Sequence, residues 1–264
     1  MKNSDSSAPA YAIELAWGGK LPSIGDFVWS DVGTPLRAGL DNWLLAGVQQ
    51  LRLTLGDSWE ASFNSGLMWN FIVPAGALGA GCVAGCISPS CDRVGRRFPF
   101  AVTYGFSPRA PAWYLSKTVD AMPGLLSRTG VLLFNGIRRQ WPRETLVTLV
   151  NEALLKWQAS LVLMEPKAGL NALNHDSVIL DVLMGGESND GGSVDDDDDA
   201  VSTLPPNNRL AALPWNNAAS SLSSGSSTSF WWTNDAGGAA LKAFTYGGHL
   251  DGTLMTWLFG RSST

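Results

Sequence analysis

Residues 67–87 read Leu67-Met-Trp-Asn-Phe-Ile-Val-Pro-Ala-Gly-Ala-Leu-Gly-Ala-Gly-Cys-Val-Ala-Gly-Cys-Ile87, and this run decides the fold. Leu67 to Val73 and Gly79 to Ile87 are short and rich in apolar, aromatic and β-branched residues, so each predicts a strand. Pro74-Ala-Gly76 between them predicts a turn, and the glycines up to Gly81 suit a tight hairpin connection with backbone at positive φ. A third strand is predicted over Phe98 to Phe106. Three strands with short links make an antiparallel meander. The glycine cluster invites comparison with a dinucleotide-binding loop, but such a loop follows a strand and opens a helix, whereas another strand follows here.

Working outward, Ala10 to Trp17 reads as a short strand entering the Gly18-Gly19 turn. Pro35 to Leu55 places Leu36, Leu40, Trp43, Leu44, Val48, Leu51 and Leu55 at helical spacing, with Thr34 as cap and Pro35 in the first turn. Helical periodicity returns over Ala112 to Leu126 and Arg143 to Trp157, and Thr253 to Phe259 is apolar enough to dock as a helix. The sum is an α+β domain with a central antiparallel sheet and packed helices, in a longin-like or profilin-like arrangement. Helices on one sheet face leave the other for a second helix layer or a partner.

Within this frame we expect a disordered start at residues 1–9, a domain over 10–184, a flexible acidic and Ser-rich insertion over 185–229, and a return to the same domain over 230–264. The insertion carries Asp195 to Asp199, whose five charges equal the whole formal charge of −5. The remainder is neutral, which argues against nucleic acid as a partner. Met1 to Pro9 lacks the apolar core of a signal peptide and no later stretch offers the eighteen uninterrupted apolar residues of a membrane span, so no membrane insertion and a cytoplasmic location are expected. Of the twelve tryptophans, Trp29 and Trp215 sit beside polar or turn-rich sequence and are candidates for exposure at a partner surface.

Chemistry concentrates in Ser88-Pro-Ser-Cys-Asp-Arg-Val-Gly-Arg-Arg-Phe-Pro-Phe100. Asp92 beside Arg93 and Arg96 forms either a local ion-pair network or, with Arg97, a set of donors to an external carboxylate or phosphate. Gly25-Asp26 reads as a turn in which Asp26 bonds neighbouring backbone N–H groups. His175 and His249 lie near no nucleophile motif. Cys82, Cys86 and Cys91 have spacings unlike a zinc knuckle and read as two small buried hydrophobes and a loop thiol. No cofactor is expected.

Taken in order, Gly19-Lys-Leu-Pro-Ser-Ile-Gly-Asp-Phe27, Asp41-Asn-Trp-Leu44, Trp69-Asn-Phe71 leading to Pro74-Ala-Gly76, the block with Ser90, Asp92, Arg93 and Arg96, and Ser229-Phe-Trp-Trp-Thr233 resemble the TagF family of type VI secretion accessory proteins. The resemblance runs from about Trp17 to Thr233 and makes Gly25, Asp26, Ser90, Asp92, Arg93, Arg96, Trp231 and Trp232 the family-motif candidates. It implies a non-enzymatic, post-translational repressor of type VI secretion that engages the system's forkhead-associated scaffold protein. Homo-oligomerisation is left open. The alternative is an enzyme or small-ligand binder with an anion pocket built from Asp26, Asp92, Arg93 and Arg96. Convergence of these residues in a cleft would favour the pocket, and a buried, mutually paired Asp92 would favour a structural role.

Overall fold

The computed structural model describes residues 13–30, 34–163, 222, 225–234 and 242–260. His175, Trp215 and the Asp195 to Asp199 run lie outside the described residues. Among the described residues seven strands form one antiparallel sheet in the order β2-β1-β5-β4-β3-β6-β7. They are β1 Glu14–Lys20, β2 Phe27–Trp29, β3 Trp69–Val73, β4 Val83–Ser88, β5 Phe100–Gly105, β6 Thr228–Thr233 and β7 Ala243–Gly247. The expected meander is β3-β4-β5. The first strand lies further along than 10–17, because Gly18 to Lys20 pair with β2 and β5 instead of turning away. Strands β2 and β7 were not foreseen, and β6 starts two residues before Phe230.

Among the described residues five α-helices flank this sheet: α1 Pro35–Leu55, α2 Trp59–Asn64, α3 Ala112–Arg138, α4 Arg143–Leu163 and α5 Gly252–Phe259. Thr34 caps α1, its hydroxyl accepting the Arg37 N–H at 3.4 Å, and Gly56 ends it at φ 52°. Helix α3 runs twelve residues past the expected Leu126. Pro123 lies inside it and does not end it, and Leu125, Leu126 and Leu133 keep its apolar face on the sheet. Helix α4 likewise passes Trp157 to reach Leu163.

Strand alternation divides the interior into two cores. Trp69, Phe71, Val73, Val83, Ile87, Ala101 and Trp231 face α1 and α5, where they meet Leu40, Trp43, Leu44, Met255 and Phe259. Ile72, Ala84, Cys86, Phe100, Val102, Tyr104 and Trp232 face α3 and α4, where they meet Met122, Leu126, Leu146 and Val150. The sheet face left open by the sequence therefore carries a second helix layer. Helices α1 and α5 approach closely at Gly47, where a Cβ would lie 2.6 Å from Met255 Cε. Trp69 fastens α5 from below, its indole N–H donating to Leu258 O at 3.1 Å.

Cys82 and Cys86 both face the α3/α4 core and are buried. Burial pushes the Cys82 thiol up to about 12 and the Cys86 thiol higher still, so both stay protonated. Four residues apart on an extended backbone is about 13 Å, too far to share one metal ion.

Candidate functional site

The strands bring the two motif loops together. Because β1 pairs with β5, Gly19 opposite Phe100, the turn at 21–26 and the loop at 89–99 emerge at the same end of the sheet. The approach is close enough that a Cβ on Gly19, which stands at φ 129°, would lie 2.0 Å from Pro99 O.

The 89–99 loop is a small hairpin. Cys91 bridges to Arg97, Phe98 N donates to Ser90 O at 3.1 Å, Asp92 N to Arg96 O at 3.1 Å and Gly95 N to Asp92 O at 2.9 Å. The last bond closes a tight turn that needs left-handed backbone, supplied by Gly95 at φ 88°. Asp92 then fills the turn from inside. Its Oδ1 accepts the N–H groups of Val94 at 3.1 Å and Arg96 at 2.9 Å. Its Oδ2 accepts Arg96 Nε at 2.6 Å and lies 3.0 Å from Lys20 Nζ.

The same residues reach across to the first loop. Ser90 Oγ donates to Lys20 O at 2.7 Å, Arg93 N to Ile24 O at 2.8 Å and Arg96 Nη2 to Gly25 O at 2.7 Å. Phe27 meets Phe98 edge to face at 4.8 Å, and Lys20 Nζ sits 4.7 Å from the Phe27 ring centroid. Gly25 leaves room where a Cβ would lie 3.3 Å from the Arg93 guanidinium. Asp26 is exposed and acts as the expected local turn residue, Oδ1 accepting the Phe27 N–H at 2.8 Å.

Asp92 is 2% exposed and Lys20 6%. Burial alone would raise the Asp92 carboxyl, but the Arg96 backbone N–H, the Lys20 ammonium and the Arg96 guanidinium outweigh it and hold the group well below the usual carboxylate range. Asp92 is thus an ionised, saturated acceptor, with neither the basicity nor the free lone pairs of a general base. The arrangement is a mechanical clamp between two loops. Lys20 is its buried cation, and the sequence signal for it is a positive charge that closes the apolar, glycine-rich run 15–19.

The pocket reading required Asp26, Asp92, Arg93 and Arg96 to converge. Asp92, Arg96 and the Arg93 backbone do meet, around an internal carboxylate, while Asp26 and the Arg93 side chain face outward. A cleft of about 140 Å³ lies elsewhere, lined by Glu14, Leu36, Phe106 and neighbours and by none of those four. Among the described residues no group of three His, Cys, Asp or Glu side chains could hold a metal ion, and no helix is long and apolar enough to cross a membrane.

The tryptophan pair is wholly internal. Trp231 points into the α1/α5 core, stacked on Phe71 at 4.9 Å, and Trp232 into the α3/α4 core. Ser229, on the same face as Trp231, accepts its indole N–H at 2.8 Å and donates to Tyr246 O at 3.1 Å. Trp29 is half-buried, its ring covering Gly18 and facing the Arg37 guanidinium at 5.5 Å.

Fold and clamp together define a class of protein: a three-layer α+β domain whose motif-dense loops lock one end of its sheet. A family model described as the TagF N-terminal domain, type VI secretion system-associated, matches residues 16–153, just over half of the chain. The chain belongs to the TagF family of type VI secretion system-associated proteins. It is similar to the crystal structure of PA0076 from Pseudomonas aeruginosa PAO1, with a TM-score of 0.52 and 21% identity over 95% of this chain and 96% of that one. At that identity the likeness speaks to the fold alone. No curated protein matches the chain.

Proposed function

We propose that this protein is a cytoplasmic, non-enzymatic repressor of type VI secretion that acts after translation by binding the system's forkhead-associated scaffold protein. Family membership over residues 16–153 carries the reading. The clamp supports it, since the carboxylate and one guanidinium that a reaction site would use are engaged in holding the loops.

The test measures secretion and binding together. Deleting the protein should raise type VI secretion, and overproducing it should lower secretion with transcript levels unchanged. Purified full-length chain should bind the purified scaffold protein. Secretion indifferent to both manipulations, with no binding, would remove the proposal.

A further inference from the structure

The clamp uses its parts unequally. Arg96 is held through Nε and Nη2, whereas the Arg93 side chain is exposed and, among the described residues, makes no hydrogen bond or ion pair. Its backbone is nevertheless fixed by the bond to Ile24 O. Next to it Val94 is 70% exposed at the tip of the turn, and Phe27 is 40% exposed two residues beyond the Gly25 against which the Arg93 guanidinium lies. An exposed cation and two exposed apolar side chains thus stand on a scaffold whose loops are already ordered, which lowers the entropy lost on binding.

We propose that this tip, formed by Arg93 and Val94 with Phe27 beside them, docks an acidic, partly apolar segment of a partner protein. Charge selects the partner. The two motif loops carry Lys20, Arg93, Arg96 and Arg97 against Asp26 and Asp92, and outside the Asp195 to Asp199 run the chain is formally neutral. With Lys20 and Arg96 engaged by Asp92, Arg93 makes the tip a local positive spot on an otherwise neutral domain. A guanidinium fork pairs a carboxylate in two parallel hydrogen bonds. One free guanidinium on a formally neutral domain is too little charge to hold a polyanion such as nucleic acid, and Val94 and Phe27 offer it nothing. A protein segment supplying one or two carboxylates around an apolar side chain satisfies every group present.

The inference rests on the reading that the protein works by binding another protein, and its test separates the two. Full-length wild type and the R93E/V94D variant are compared by calorimetric titration into the scaffold protein at low and high salt, with melting curves as a fold control. The variant should melt within a few degrees of wild type and bind at least tenfold more weakly, and wild-type binding should weaken with salt. If the double variant melts early, R93Q carries the comparison. Unchanged binding by a folded variant overturns the docking surface and leaves the repressor reading standing. Should wild type fail to bind the scaffold, the repressor reading falls and the surface is judged by a direct probe, a peptide alternating Glu and Leu titrated into isotope-labelled full-length chain. Resonance shifts centred on Phe27 and residues 93–95 support it. No shift there, or the same shift from inorganic phosphate at equal concentration, overturns it.

Discussion

The clamp around Asp92 and the strand β6 both carry motif residues, and they bury them by different physics. In β6 the alternation of an extended chain sends Trp231 into one core and Trp232 into the other, so two adjacent large rings join both helix layers to one sheet. In the clamp a charged pair is buried, Lys20 against Asp92, and the geometry exists to satisfy that charge. The first region is held by apolar area and tolerates no loss of volume. The second is held by directional bonds and tolerates no loss of a partner. Only the clamp leaves something over, because a loop fixed through its backbone can still present side chains outward.

The largest effect should come from β6. Trp231→Ala should cost about 3 to 5 kcal/mol, the range for deleting a large buried aromatic, read by urea unfolding. Trp232→Ala should cost a similar amount through the opposite core. A loss below about 1 kcal/mol at either position would mean that the pair is less central than its burial indicates.

Asp92→Asn should rank next, at about 3 kcal/mol, because it keeps the shape and strands the buried Lys20 ammonium. Acid should reveal the same group. The folded-state carboxyl is held below its unfolded value of about 4, so its contribution is complete above that pH and is lost as pH falls toward the folded-state value. The stability of wild type should therefore decline below about pH 4, and Asp92→Asn should show a shallower decline. Parallel acid profiles would separate Asp92 from that loss.

The smallest effects divide the two arginines. Arg96→Ala removes two charge-assisted bonds from a side chain 59% exposed and should cost about 1 kcal/mol after allowing for solvent screening. Arg93→Ala should stay within about 0.5 kcal/mol of wild type. Charge reversal should follow the same division, affecting stability more than binding at Arg96 and binding more than stability at Arg93.

Strands β1, β3, β4 and β5 and helix α1 were legible because their signals are local: apolar runs bounded by glycine and proline, and a Thr-Pro cap ahead of a 3.6-residue period. The length of α3 was not, since Pro123 normally marks a helix end and here the helix continues through it under tertiary packing. Strand β2 was hidden by its three residues, whose pairing depends on the neighbouring strand. At the site, Asp92 and the arginines stood out by composition, but which arginine is engaged depends on the carbonyls of Ile24 and Gly25, some seventy residues away in sequence. The tryptophan pair was legible as a motif, and its placement on both sides of the sheet followed only once the register with β3 was known.

The most direct test of the clamp is a double-mutant cycle on its buried pair, with Lys20→Met, Asp92→Asn and the combined variant unfolded in urea beside wild type. Each single variant should lose about 3 kcal/mol, and the double variant should lose well under their sum, giving a coupling of at least about 1.5 kcal/mol. Single variants within about 0.5 kcal/mol of wild type, with no coupling between them, would contradict the claim that this pair locks the two motif loops together.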